Sequence, residues 1–184
     1  MNTGFPTRKS TRLSDFDYSH VGAYFITICA RERQDLLAQI IEPKQSFTVG
    51  EGLAPPTNHR LFECKGNVCA HLKPCGKIAE EQLLSLETRY PHIVITDYVI
   101  MPDHVHAIIV LRELAGGPRP SPTLDDIICA YKSLTARVCK QICGVEKIFQ
   151  RSYFDHIIRD KDDYELKRNY IYENPKRRYY DIKT

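Results

Sequence analysis

HIVITDYVIMPDHVHAIIVL, residues 92–111, is the stretch that decides the fold of this chain. Its halves, HIVITDYVIM and HVHAIIVL, are runs of β-branched and aromatic residues too short for helices, and Pro102-Asp103 between them supplies a tight turn. They read as two antiparallel strands of one hairpin. Alternate side chains of a strand share a face, so His104 and His106 point one way while Val105 points into the opposite layer. Two imidazoles side by side make half of a metal site. A His-x-His also arises by chance, as two satisfied or exposed histidines.

Upstream of the hairpin, GKIAEEQLLSLETRY (Gly76 to Tyr90) sets Ile78, Leu83, Leu84 and Leu86 near helical spacing and predicts an amphipathic helix. Before it, AYFITICA (Ala23 to Ala30) is an apolar β-rich run fit for a central strand. Downstream, Thr123 or Asp125 is placed to cap a long helix running to about Cys143. IFQRSYFDHIIRD then reads as a strand or extended stretch. Residues 160–163 supply a cap and an acidic first turn for a last helix, DDYELKRNYIYEN. Pro175 is expected to end that helix, because the residue before a proline is pushed out of helical geometry. The order is strand, helix, strand, strand, helix, strand, helix. It predicts an α+β fold, a ferredoxin-like (RRM-like) antiparallel sheet with helices on one face and a C-terminal helix.

The whole chain, 1–184, is expected to form a single domain. Residues 1–20 read as a basic N-terminal arm carrying Arg8, Lys9 and Arg12. Residues 39–74 read as an irregular insertion broken by prolines and glycines, with SFTVGEGL and HRLFECK as candidate hairpins. Residues 113–122 read as a flexible loop. No apolar run approaches the ~20 residues needed to cross a bilayer, and the first twenty residues lack the apolar core of a secretory signal. A cytoplasmic protein is the default. Seven cysteines, an odd number without a secretory signal, argue against a disulfide framework. Cys29, Cys129, Cys139 and Cys143 read as small buried hydrophobes. Cys64, Cys69, His71 and Cys75 cluster, but four and five residues separate the cysteines, looser than the C-x-x-C pairs of structural zinc sites.

The formal charge is +3, and nine Lys/Arg against six Asp/Glu between Lys147 and Arg178 account for all of it. A basic surplus confined to one segment is a weak footprint of a polyanionic partner. On the last helix Tyr170 and Asn174 stand at i and i+4, so a phenol and an amide project from one face. A phenol is a poor nucleophile near neutral pH until something stabilises the phenolate. Tyr170 also reads, more blandly, as a packing aromatic.

The pattern YVIMPDHVHAIIVL, then FQRSYFDHIIRD, then NYIYENPKRR resembles the REP-associated tyrosine transposases, single-tyrosine transposases of the HUH superfamily and of the insertion-sequence type. The resemblance also covers AYFITICARERQDLL and runs from about Gly76 to Arg178. It implies His104 and His106 as paired metal ligands, Asn174 as the polar residue completing the shell, and Tyr170 as the nucleophile. Tyr172 is the rival nucleophile, about 200° round the helix, so both cannot face the histidines. The implied activity is that of an endonuclease and strand transferase on single-stranded, hairpin-forming repeat DNA, through a 5′-phosphotyrosine and with Mg2+ or Mn2+ as cofactor. Arg151, Arg159, Lys167, Arg168, Lys176, Arg177 and Arg178 are the candidate backbone-phosphate contacts. Such a protein is expected in the cytoplasm, associated with the nucleoid, without a membrane partner; whether it acts as a monomer or a homodimer stays open. The alternatives are a hairpin-binding protein without catalysis, and an RNA-binding sheet that stacks bases on Tyr24, Phe25 and Tyr98.

Overall fold

Strand β1 (Gly22–Cys29) lies at the centre of the fold, paired antiparallel on one side with β5 (His104–Leu111) and on the other with β6 (Phe154–Ile158). With β4 (Ile93–Ile100) beyond β5, the sheet order is β4-β5-β1-β6. The computed structural model describes residues 21–41, 68–113 and 122–183. The N-terminal arm, the two candidate hairpins of the insertion with Cys64, and most of the 113–122 loop lie outside the described residues. The two ends of the insertion do belong to the fold: β2 (Ala38–Ile41) and β3 (Cys69–Leu72) form a separate antiparallel pair.

Two helices cover one face of the sheet. Helix α1 (Pro74–Arg89) starts two residues before its apolar pattern, with proline in its first turn, where no intrahelical N–H is needed. Helix α2 (Leu124–Cys143) starts where expected. Thr123 is its cap, in a reciprocal capping box with Asp126, and Gly144 at φ 70° closes it in the left-handed conformation. Gly76 is required for a different reason: a Cβ there would lie 1.9 Å from the Leu37 carbonyl oxygen. Only glycine lets α1 approach the segment leading into β2 so closely.

The main core lies between these helices and the sheet. Tyr24, Ile26 and Ile28 of β1 and Val105, Ala107 and Ile109 of β5 meet Leu83 and Leu86 of α1 and Ile127, Ile128 and Tyr131 of α2. Burying each large aliphatic side chain contributes about 1.5–3 kcal/mol, so this layer carries the fold. The cysteine expectation holds for Cys29 and Cys139, which are buried. Cys143 is half-buried, and Cys129 is exposed on the outer side of α2.

Helix α3 (Lys161–Lys183) lies on the other face, against β4 and β5, so the one-face arrangement of helices describes α1 and α2 and not α3. Its apolar contact is small: Ile171 joins Val99, Met101 and Ile108, with Phe25, Ile40, Ile158 and Tyr164 half-buried around them. Pro175 does not end α3, contrary to expectation; the helix continues through it to Lys183. A proline inside a helix removes one hydrogen bond and costs about 3 kcal/mol. Here the cost is offset by burial up to the break and by an ion pair beyond it. Ile171, Asn174 and Pro175 are all buried, and Arg178 further along reaches Asp35 at 3.8 Å.

Candidate active site

The period of two on β5 works as the sequence implies. Val105 is buried in the main core, while His104 and His106 face the α3 layer, their ring centroids 4.4 Å apart. The pairing register sets Thr27 of β1 opposite His106, and Thr27 Oγ1 meets His106 Nδ1 at 2.9 Å. Burial, reinforced by the neighbouring His104 charge, pushes the His106 imidazole down to about 3, so it is neutral at physiological pH. Its Nε2 is buried and has no hydrogen-bond partner. An unpaired buried ring nitrogen costs roughly 1–3 kcal/mol, which marks it as an atom waiting for a partner.

His104 is oriented by its sequence neighbour. Burial pushes the Asp103 carboxyl up, but the His104 hydrogen bond and the His104, Arg33 and Arg178 charges outweigh it and hold the group at about 2. The ionised carboxylate only accepts, so His104 Nδ1–H donates to Asp103 Oδ1 at 2.7 Å, which leaves Nε2 as the ring nitrogen available to a ligand. A carboxylate behind a histidine is the usual way a metal-binding imidazole is fixed in tautomer and direction. Arg33 NH1 donates to the other carboxylate oxygen at 3.3 Å. Arg33 and Glu32 both sit at φ 54°, in a tight left-handed turn after β1 that is unusual for residues with side chains.

Helix α3 brings Tyr170 to this pair. Its ring lies 5.2 Å from that of His106 and edge-on to Phe25 at 6.0 Å, and Phe25 in turn stacks on His106 at 5.1 Å. Tyr170 is 38% exposed, so part of the residue is open to solvent. Arg177 lies over the ring at 5.7 Å while pairing with Glu173 at 2.7 Å. Asn174, one turn on, is buried at 8% beside Ile171. Tyr172 points elsewhere: its hydroxyl donates to Asp97 Oδ1 at 3.0 Å. Tyr170 therefore stands against His106 of its own chain, while Tyr172 is turned to Asp97.

Among the described residues no three His, Cys, Asp or Glu side chains converge as a metal site. The two imidazoles, each engaged at Nδ1, fit a divalent ion at their Nε2 atoms, its remaining positions filled by an amide, water or phosphate oxygens. The orphaned Nε2 of His106 is the observation that favours such a ligand.

The candidate phosphate contacts are scattered. Lys167 lies 5.6 Å over the Phe25 ring, and Lys176 and Arg177 are exposed on α3. Arg168 is committed elsewhere, to Asp97 at 3.3 Å and Glu165 at 3.3 Å, and Arg178 leans toward Asp35. Arg159 is exposed after β6. Arg151 belongs to the opposite layer, where it lines an open groove with Lys132 and Lys147 beside α2. The base-stacking alternative loses two of its three aromatics: Tyr24 is fully buried in the main core, and Tyr98 donates to Glu80 of α1 at 3.0 Å. His156 makes only a hydrogen bond, to Asp163 at 2.7 Å, as expected.

Sequence reasoning missed Asp97, Asp103 and Thr27. Asp97 had a signal: an acidic residue inside an otherwise apolar strand run is buried only with partners. Asp103 stood inside the quoted PDHVH. Thr27 had none, since only the β1–β5 register brings it to His106.

No family model matches the chain. It is 25% identical over 189 residues to an uncharacterized protein of Haemophilus influenzae, covering 95% of this chain and 91% of that one. It is 32% identical over 81 residues to the REP-associated tyrosine transposase of Escherichia coli, covering 44% of this chain and 43% of that protein. Among solved structures, a REP-associated tyrosine transposase bound to a REP hairpin superposes with a TM-score of 0.56 at 20% identity, covering 90% of this chain and 74% of that one. No helix among the described residues is long and apolar enough to cross a membrane. The chain thus shares its fold with that solved transposase.

Proposed function

We propose that this chain is a metal-dependent endonuclease and strand transferase, a tyrosine transposase acting on single-stranded, hairpin-forming repeat DNA. The observation that carries the proposal is Tyr170 standing 5.2 Å, ring to ring, from His106 in the same chain. The partial identity to a REP-associated tyrosine transposase and the fold shared with one bound to a REP hairpin support the class of DNA.

Tyr170 attacks a backbone phosphorus; the new bond joins its phenolic oxygen to phosphorus, and the bond from phosphorus to the 3′ oxygen breaks. The phenol loses its proton and the departing 3′ oxygen gains one, leaving a 5′-phosphotyrosine and a free 3′-hydroxyl. The reverse attack by a 3′-hydroxyl joins strands. No nucleotide cofactor is needed, because the phosphodiester energy stays in the phosphotyrosine. His104, His106 and Asn174 would hold the ion; Mg2+ or Mn2+, when bound, would supply Lewis-acid polarisation of the scissile phosphate. Asp103 and Thr27 orient the two imidazoles. Phe25 and Arg177 flank the phenol, and Lys167, Lys176 and Arg177 meet the strand's phosphates. Tyr170 stands beside His106 of its own chain, which supports a nucleophile acting in cis. The activity belongs with chromosomal DNA, at the nucleoid in the cytoplasm.

The test is incubation with hairpin-forming single-stranded DNA and Mn2+, followed by a denaturing gel. A covalent adduct is expected from the unaltered protein and from Tyr172→Phe, and none from Tyr170→Phe, His104→Ala/His106→Ala or with chelator. Tight hairpin binding with no adduct under any of these conditions would leave a binding protein without catalysis.

A further inference from the structure

We propose that Asp97 is the positioning residue for Tyr170: a one-residue bulge in β4 turns its carboxylate onto the α3 face, where it clasps Tyr164, Arg168 and Tyr172 and fixes the rotation of α3 that holds Tyr170 beside His106. This rests on the cleavage function proposed above.

The register of β4 against β5 carries the first half. Ile95 pairs with Ile109, Asp97 with Ile108, and the irregularity between them leaves Thr96 as the extra residue. Ile95 and Ile109 face the main core, whereas Ile108 faces α3. Without the bulge, Asp97 would share the face of Ile95, two residues earlier, and its charge would enter the main core. With it, the alternation flips. Tyr98 turns to α1, Val99 to α3, and Asp97 to α3 with it. The bulge is held from the other layer, where Glu87 of α1 accepts the Ile95 N–H at 2.6 Å.

The second half is the clasp. Tyr164 donates to Asp97 Oδ2 at 2.8 Å, and Tyr172 and Arg168 Nε donate to Oδ1 at 3.0 and 3.3 Å. The side chain of Asp97 is 4% exposed, so its charge depends on these donors. Positions 164, 168 and 172 recur every four residues, drifting about 40° per step, and so form one flank of α3. Tyr170 lies about 200° from both Arg168 and Tyr172, on the opposite flank. Between the flanks Ile171 is the one α3 residue fully buried in the apolar cluster. So small an apolar contact fixes distance but not rotation; directional bonds to one fixed carboxylate fix rotation.

The experiment compares the unaltered protein with Asp97→Ala, Asp97→Asn and, as reference, Tyr170→Leu. One readout is the NMR shift of the His106 ring protons, which sense the Tyr170 ring current. The other is single-turnover adduct formation at saturating hairpin DNA with Mn2+. Asp97→Ala is expected to move the His106 signals toward their positions in Tyr170→Leu and to lower the adduct rate about 10- to 100-fold while DNA affinity holds. Asp97→Asn, whose one amide oxygen still accepts from one phenol while its NH2 faces the other, is expected to restore part of both. Should Asp97→Ala fail to fold, Tyr164→Phe/Tyr172→Phe removes two donors, and the same displacement of the His106 signals is expected. His106 signals that stay at their original positions in a folded clasp variant overturn the proposal, whatever the adduct assay gives. Signals that move as expected, in a protein that forms no adduct even unaltered, uphold the clasp and sink the cleavage function instead.

Discussion

On the α1/α2 face of the sheet, Tyr24, Ile26, Ile28, Val105 and Ile109 are sealed under two helices with almost no polar group among them. On the α3 face, the same strands offer Phe25, Thr27, His104, His106 and Asp97, with only a four-residue apolar cluster to hold the covering helix. The first face is joined by area, which is non-directional and tolerant of small shifts. The second is joined by hydrogen bonds and ring contacts, which demand a particular rotation and register. The fold keeps its stability in one layer and the placement of Tyr170 beside His106 in the other.

The largest effect that would break this division is Tyr170→Phe. It is expected to remove covalent adduct by on the order of 10⁴-fold or more while leaving the melting temperature near its original value, since the hydroxyl is not part of the core. Leu86→Ala tests the other layer. Burial of Leu86 under the sheet predicts a loss of about 2–5 kcal/mol in urea unfolding, with the adduct rate of the folded fraction retained. A large rate loss there would show that the two layers are not separable.

The α3 face also carries the acid sensitivity. The His106 pKa is depressed by burial, from 6.5 in the unfolded chain to about 3 when folded, so between these values the unfolded state binds the extra proton. In metal-free protein this contribution to stability is intact above about 6.5 and is lost as pH falls toward 3. Asp103, lowered to about 2 from 3.8, adds a loss of the same sign at still lower pH. Urea titrations at stepped pH should show the decline, and His106→Gln should flatten its upper part. Ile171→Ala is expected to cost about 2 kcal/mol and to speed amide exchange in α3 more than in α1 or α2. The smallest expected change is Thr123→Ala, about 1 kcal/mol from the capping box of α2, with no effect on the adduct rate.

Much of the candidate site was legible because local periods dictate it. His104 and His106 share a face by the alternation of a strand, and Tyr170 and Tyr172 diverge by the pitch of a helix. The ferredoxin-like order of strands and helices followed from apolar runs and their caps. Pro175 misled because its local cost is real but is overridden by the packing of Ile171 on the sheet and the burial of Asn174 and Pro175 itself. Asp97 was passed over because a bulge inverts alternation, and nothing in IVITDYVI marks where the extra residue falls.

By itself, then, the sequence determined which side chains travel together: the imidazole pair on one strand face, the phenol and amide on one helix face, and an apolar layer for two helices. Tertiary structure alone decided that α3 crosses the histidine face, that it runs through a proline, and that its rotation presents Tyr170 rather than Tyr172. Periodicity is a property of neighbours along the chain. The angle between a helix and a sheet depends on groups far apart in sequence, here a carboxylate on β4 and three donors about seventy residues later.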